Sequence, residues 1–209
     1  LRQSIETVIQ RFDEAIHKAK DELVAKRLFK DKQRWLCKND LFYLGKITGH
    51  QLWKQGDIKG FVLPFHRDFC DKVSLMNWQI VYKGLMPKDP DMLKVEDVVD
   101  DPRELGKTRR LFLYFRSAYK STIVTKLPTI QLLLNFPDIH IFISHNTQIN
   151  ASDILVGIKK LFLTTDLRYL FPEYIVKEKD WGNQTGFSVA CRKDYTMTGD
   201  NVEAIGINT

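Results

Sequence analysis

The chain has 209 residues, 44% apolar and 28% charged, which suffices for one good core and gives no segment disorder as its default. The 32 Lys and Arg against 26 Asp and Glu leave a net charge of +6, which favours a polyanionic partner without demanding one. Three widely spaced cysteines, Cys37, Cys70 and Cys191, exclude a disulfide framework and any CxxC metal knuckle and point to a reducing compartment, while no apolar run approaches the roughly 20 residues of a membrane span.

In chain order, residues 1–36 carry Ile5, Ile9, Phe12 and Ile16 at helical spacing with neither Gly nor Pro, which predicts one long amphipathic helix or two shorter ones. The cation-dense stretch RLFKDKQR (Arg27–Arg34) is either a solvated helix face, the simpler reading, or a surface facing DNA. A second helical passage begins at Trp35 and gives way to turns at Gly45, Gly49, Gly56 and Gly60. Pro64-Phe-His-Arg-Asp-Phe-Cys opens a further helix that runs through Trp78 and Val81. Residues 84–107, with three prolines and a net acidic charge, read as a loop.

The period then changes. LFLYF (Leu111–Phe115) reads as a short strand covered on both faces, and Ser121–Phe136 as a helix that must accommodate Pro128. IHIFIS (Ile139–Ser144) is a second strand, followed by a helix over Asn150–Leu163 with Asn150 or Ser152 as its cap. Strand, helix, strand, helix at this spacing predicts a βαβ unit with a right-handed crossover and a parallel sheet. GFSVACR and VEAIGIN close the chain as β-like segments.

LFLYFRSAYKST (Leu111–Thr122) holds the parts of a phosphate-binding loop: a buried strand, a turn, then Lys120-Ser121 at a helix start with Thr122 beside them. The glycines of the P-loop (Walker A) frame are missing, because Tyr114 and Tyr119 stand where glycine serves for its access to positive φ. From these residues alone two readings stand: a phosphate loop without glycine, or a strand running into an ordinary helix.

Several segments, in order over residues 36–209, resemble the large subunit of the tailed-virus terminase, the motor ATPase that packages DNA. RWLCKNDLFYLGKITGH is similar to that family's lead-in and LPFHRDFCD to its adenine-side segment. FRSAYKST resembles its deviant phosphate loop, and PDIHIFISHNTQINASDILVGIKKLF the strand and helix after it. LRYLFPEY and DWGNQTGFSVACRKDYTMTGDNVEAIGINT resemble the segments that follow. The resemblance implies an α/β fold of P-loop NTPase (RecA/ASCE) type, a parallel sheet flanked by helices. A helical lead-in over 1–60 would precede a partial ATPase domain over 61–209.

By the same resemblance Lys120 neutralises phosphate, Ser121 ligates Mg²⁺ and Thr122 supports the loop. Arg116 adds a cation in the turn formed with Ser117, Ala118 and Tyr119. Phe65, His66 and Arg67 lie at the adenine or ribose, and Arg192 is a candidate finger toward a neighbouring subunit's ATP. ATP and Mg²⁺ are then the cofactors. The implied partners are double-stranded DNA, the portal protein and the small terminase subunit, in a ring of identical copies in the host cytoplasm, with no membrane. A P-loop motor also needs an acidic pair ending another strand. No such run follows a buried strand here, so the sequence, which starts at Leu1, reads as a piece of a longer motor that binds nucleotide without turning it over. The alternatives are a basic α/β module that docks DNA or portal protein without nucleotide and, ranked last, a P-loop enzyme of another lineage. Asp138, Asp153 and Asp166 read as caps or surface groups.

Overall fold

The computed structural model describes residues 2–49, 65–82, 119–176, 181–194, 196 and 198–207, with the side chains of all but 2–4 and 75–82. The LFLYF strand, the acidic loop and Arg116, Ser117 and Ala118 lie outside the described residues. The chain divides into two compact units, one from residues 1–44 and 61–123, the other from 45–60 and 124–209.

In the first unit the N-terminal apolar period resolves into two helices, α1 (Arg2–Lys18) and α2 (Glu22–Asn39). They part at Asp21, whose extended backbone and carboxylate cap α2 by accepting the Leu23 N–H at 2.8 Å. Ile5 and Leu36 are buried between them, with Ile9, Trp35 and Tyr43 packed alongside, and Lys32 reaches Asp13 at 2.5 Å. α3 (Leu41–Gly49) follows after one residue, and α4 (Phe65–Tyr82) starts where the Pro64-Phe-His segment predicts. Phe69, Cys70 and Val73 form the buried stripe of α4.

Among the described residues the second unit holds a mixed three-stranded sheet. A π-helical turn (Thr122–Lys126) runs into α5 (Leu127–Asn135). Pro128 cannot donate to a carbonyl one α-turn back, and the wider turn immediately before it takes up that mismatch without ending the helix. β1 (Ile141–His145) leads to α6 (Gln148–Phe162), capped by Thr147 and not by Asn150 or Ser152. α7 (Thr165–Leu170) and a 3₁₀ turn precede β2 (Gly186–Phe187) and β3 (Val202–Gly206).

β3 is central: it runs parallel to β1, with Ile141 opposite Val202 and His145 opposite Gly206, and antiparallel to β2. Among the described residues the sheet is therefore mixed: β1 and β3 pair in parallel, as expected of the βαβ unit, and β2 joins antiparallel. α6 lies against β1 and β3. Its buried side chains Ala151, Leu155, Ile158 and Phe162 recur at helical spacing, and Ile143, Val202 and Ala204 are the buried strand positions. Among the described residues no helix is long and apolar enough to cross a membrane.

Candidate functional site

The site begins at the α2–α3 junction. Asp40 closes α2 with its backbone N–H on Leu36 O, and its side chain turns forward. One carboxylate oxygen accepts the N–H groups of Phe42 and Tyr43, which begins α3, and the other accepts Arg67 Nη1 at 2.7 Å. Arg67, in the first turn of α4, also donates from Nε to Asp71, with its Cζ 5.5 Å from the centre of the Phe42 ring. Burial pulls the guanidinium pKa down, but Asp40 and Asp71 outweigh it and the net shift is upward. The same burial and the same two carboxylates push the neighbouring Cys70 thiol well above its ordinary range. Loss of either partner of the Asp40–Arg67 pair strands a mostly buried charge, a cost of about 3–5 kcal/mol.

His66, adjacent to Arg67, is buried. Its ring centre lies 5.0 Å from that of Phe65, edge-on, and 5.6 Å from that of Tyr119. Tyr119 has φ +54, the sole non-glycine residue in the left-handed region among the described residues. Its carbonyl accepts the Ile123 N–H at 2.8 Å, so it is the capping residue of the helix that Lys120 opens. The side chains of Lys120 and Ser121 are solvent-exposed on that first turn, and Thr122 follows at the edge of the core. The unit thus joins Phe65, His66, Tyr119 and Lys120 in one place, while Arg67 is engaged by Asp40 and Asp71. Tyr119 thus takes, immediately before a helix, the left-handed conformation for which glycine is usual.

Arg192 is in the second unit, buried, and its donors go to its own chain: Nε to Asp194 O at 2.8 Å and Nη1 to Gly199 O at 2.6 Å. It braces a loop through these backbone carbonyls. Asp138 anchors the same loop by accepting the N–H groups of Lys193 and Asp194.

Sequence reasoning passed over three polar hubs. Besides Asp40, Asn201 is almost fully buried, donates to the carbonyls of Pro137 and Ile139 and accepts from Val189 N. Gln148 donates to Ala204 O and accepts from Gly206 N, so its amide pairs with β3 as a strand would. A groove of about 490 Å³ beside it is lined by Thr185, Asp200 and Glu203 among others. Asp200 accepts from the Ser188 hydroxyl, and Glu203 from the Asp200 N–H beside His140. No group of three His, Cys, Asp or Glu side chains is arranged to hold a metal among the described residues. No family model, no curated protein and no solved structure matches the chain.

Proposed function

We propose that residues 119–122 form the triphosphate turn of a P-loop motor ATPase of the large-terminase kind, which in its intact form drives viral double-stranded DNA into capsids. The observation that carries this reading is the left-handed backbone of Tyr119 immediately before the helix that Lys120 opens. A non-glycine residue there costs about 1–2 kcal/mol, and a cation at a helix N-terminus opposes the macrodipole. Two unfavourable local features side by side make sense where an anion seats against the turn.

In this site Lys120 neutralises the phosphates and the helix N-terminus presents its amides. The Ser121 hydroxyl would hold Mg²⁺, which supplies charge neutralisation across the phosphates when bound. Phe65 and His66 face the base. DNA, the portal protein, the small terminase subunit and neighbouring copies in a ring, in the host cytoplasm, are the partners this role requires. Among the described residues neither β1 nor β3 ends in a pair of carboxylates, so the decisive assay reads binding, not turnover.

ATP with Mg²⁺ raises the melting temperature of the wild-type chain, by the equivalent of about 2.7 kcal/mol at a hundredfold excess over Kd. Lys120→Ala removes the rise. An identical rise in that variant refutes the assignment. The second reading, a basic module without nucleotide, is favoured by the density of cations along α2, among them Arg27, Lys30, Arg34 and Lys38. It predicts stabilisation by duplex DNA or portal protein and none by ATP.

A further inference from the structure

We infer that Pro128 is a positioning residue for Lys120: through the π-helical turn before it, it sets the direction in which the lysine leaves its helix. The inference deepens the reading of Lys120 given above and rests on it.

The helical run from Lys120 to Asn135 is continuous but not uniform. It is π-helical over Thr122–Lys126 and α-helical over Leu127–Asn135, with Pro128 at the start of the second stretch. In an unbroken α-helix, residues seven apart drift by only about 20° around the axis. Lys120, Leu127 and Leu134 have that spacing, and both leucines are fully buried. A regular helix would therefore set Lys120 in line with a buried apolar stripe, where an ammonium is costly. Lys120 is instead exposed. A π-turn closes over one residue more than an α-turn, so what precedes it is displaced by one residue's rotation, about 100°. That displacement takes Lys120 out of the leucine line.

Pro128 is what keeps the turn wide. It has no N–H for the carbonyl four residues back, that of Val124, and in a regular α-turn its ring would collide with that oxygen. The Thr129 hydroxyl donates to the Thr125 carbonyl inside the wide turn at 2.8 Å and ties the turn to α5. Pro128 itself is buried, and no atom of it needs to meet a ligand. It acts on the site through helical phase alone.

The test measures binding of ATP with Mg²⁺ to the full 209-residue chain by calorimetric titration, beside thermal melting and amide exchange. Pro128→Ala restores an N–H and a strong helix former, so the turn should close to α and the residue 128 amide become protected. The melting temperature should hold or rise while ATP binding weakens about tenfold, the loss of one charge-assisted contact. Lys120→Ala should cost about tenfold in the wild-type chain and nothing further beside Pro128→Ala, because the amine is already turned away. Pro128→Val restores the same N–H with more of the buried volume and serves if the alanine variant does not fold. A protected amide with unchanged affinity, or additive losses, overturns the positioning role while Lys120 stands. An unprotected amide shows that Pro128 does not hold the turn open and overturns it equally. If the wild-type chain does not bind ATP, the nucleotide reading falls and this inference with it.

Discussion

The left-handed conformation of Tyr119 gives a test in which the sign, and not only the size, of an effect is predicted. Any residue with a Cβ at φ +54 carries the steric cost of that region, about 1–2 kcal/mol, and glycine does not. Glycine loses about 0.5–1 kcal/mol more conformational freedom on folding than alanine. The difference leaves Tyr119→Gly more stable than Tyr119→Ala by about 0.5–1 kcal/mol. Both variants lose the ring facing His66, a contact worth about 0.5–1.5 kcal/mol beyond its buried area, so the comparison between them isolates the backbone. At the exposed helical position Ala15, with ordinary negative φ, the same change from Ala to Gly must destabilise, by about 1 kcal/mol. Urea midpoints of the two variants at 119, set against wild type and Ala15→Gly, decide the matter. If alanine at 119 equals or exceeds glycine, the turn before Lys120 is not left-handed and the case for a triphosphate site loses its support.

Two further outcomes follow from side chains that hold backbone. Gln148→Ala removes two hydrogen bonds to β3 and should cost about 1–3 kcal/mol. The Gly206 amide then exchanges hydrogen faster, and unchanged protection there would show that Gln148 does not cap the strand. The Asp194 carboxyl lies below its ordinary 3.8 because the Thr196 hydroxyl and then its amide donate to it. A depressed folded value gives stability that is present above 3.8 and lost as the pH falls through the folded value. Thr196→Val should therefore raise the Asp194 pKa toward 3.8 in a carboxyl-detected titration, and no movement would show that the hydroxyl does not cause the depression, leaving the residue 196 amide and Arg192.

What was legible in the sequence is what repeats locally. Ile5, Ile9 and Phe12 announce α1 by their period, and Leu155, Ile158 and Phe162 do the same for α6. VEAIG alternates and is a strand. GFSVACR has the composition of a strand as well, yet only Gly186 and Phe187 pair. Past them the Val189 N–H goes to the Asn201 side chain and the Ala190 N–H to the Tyr174 carbonyl, so partners that a strand needs are taken elsewhere. The two bonds come from residues 12 and 16 positions away, which no local pattern reports. Asp40 with Arg67, and Gln148 with β3, are hidden for the same reason.

The candidate site shows the limit from the other side. Missing glycines argue against a phosphate loop only if residue type and backbone conformation are interchangeable. Glycine is favoured at such a turn because positive φ costs it nothing, but the geometry itself belongs to the backbone. Tyr119 occupies the left-handed region with its ring against a buried histidine and its carbonyl taking the first bond of a helix that continues to Asn135. Tertiary contacts of that kind can hold a conformation that costs about 1–3 kcal/mol locally. A sequence pattern sees the residue and infers its easiest conformation. At position 119 the two differ, and the difference falls beside the one lysine on which the nucleotide reading depends.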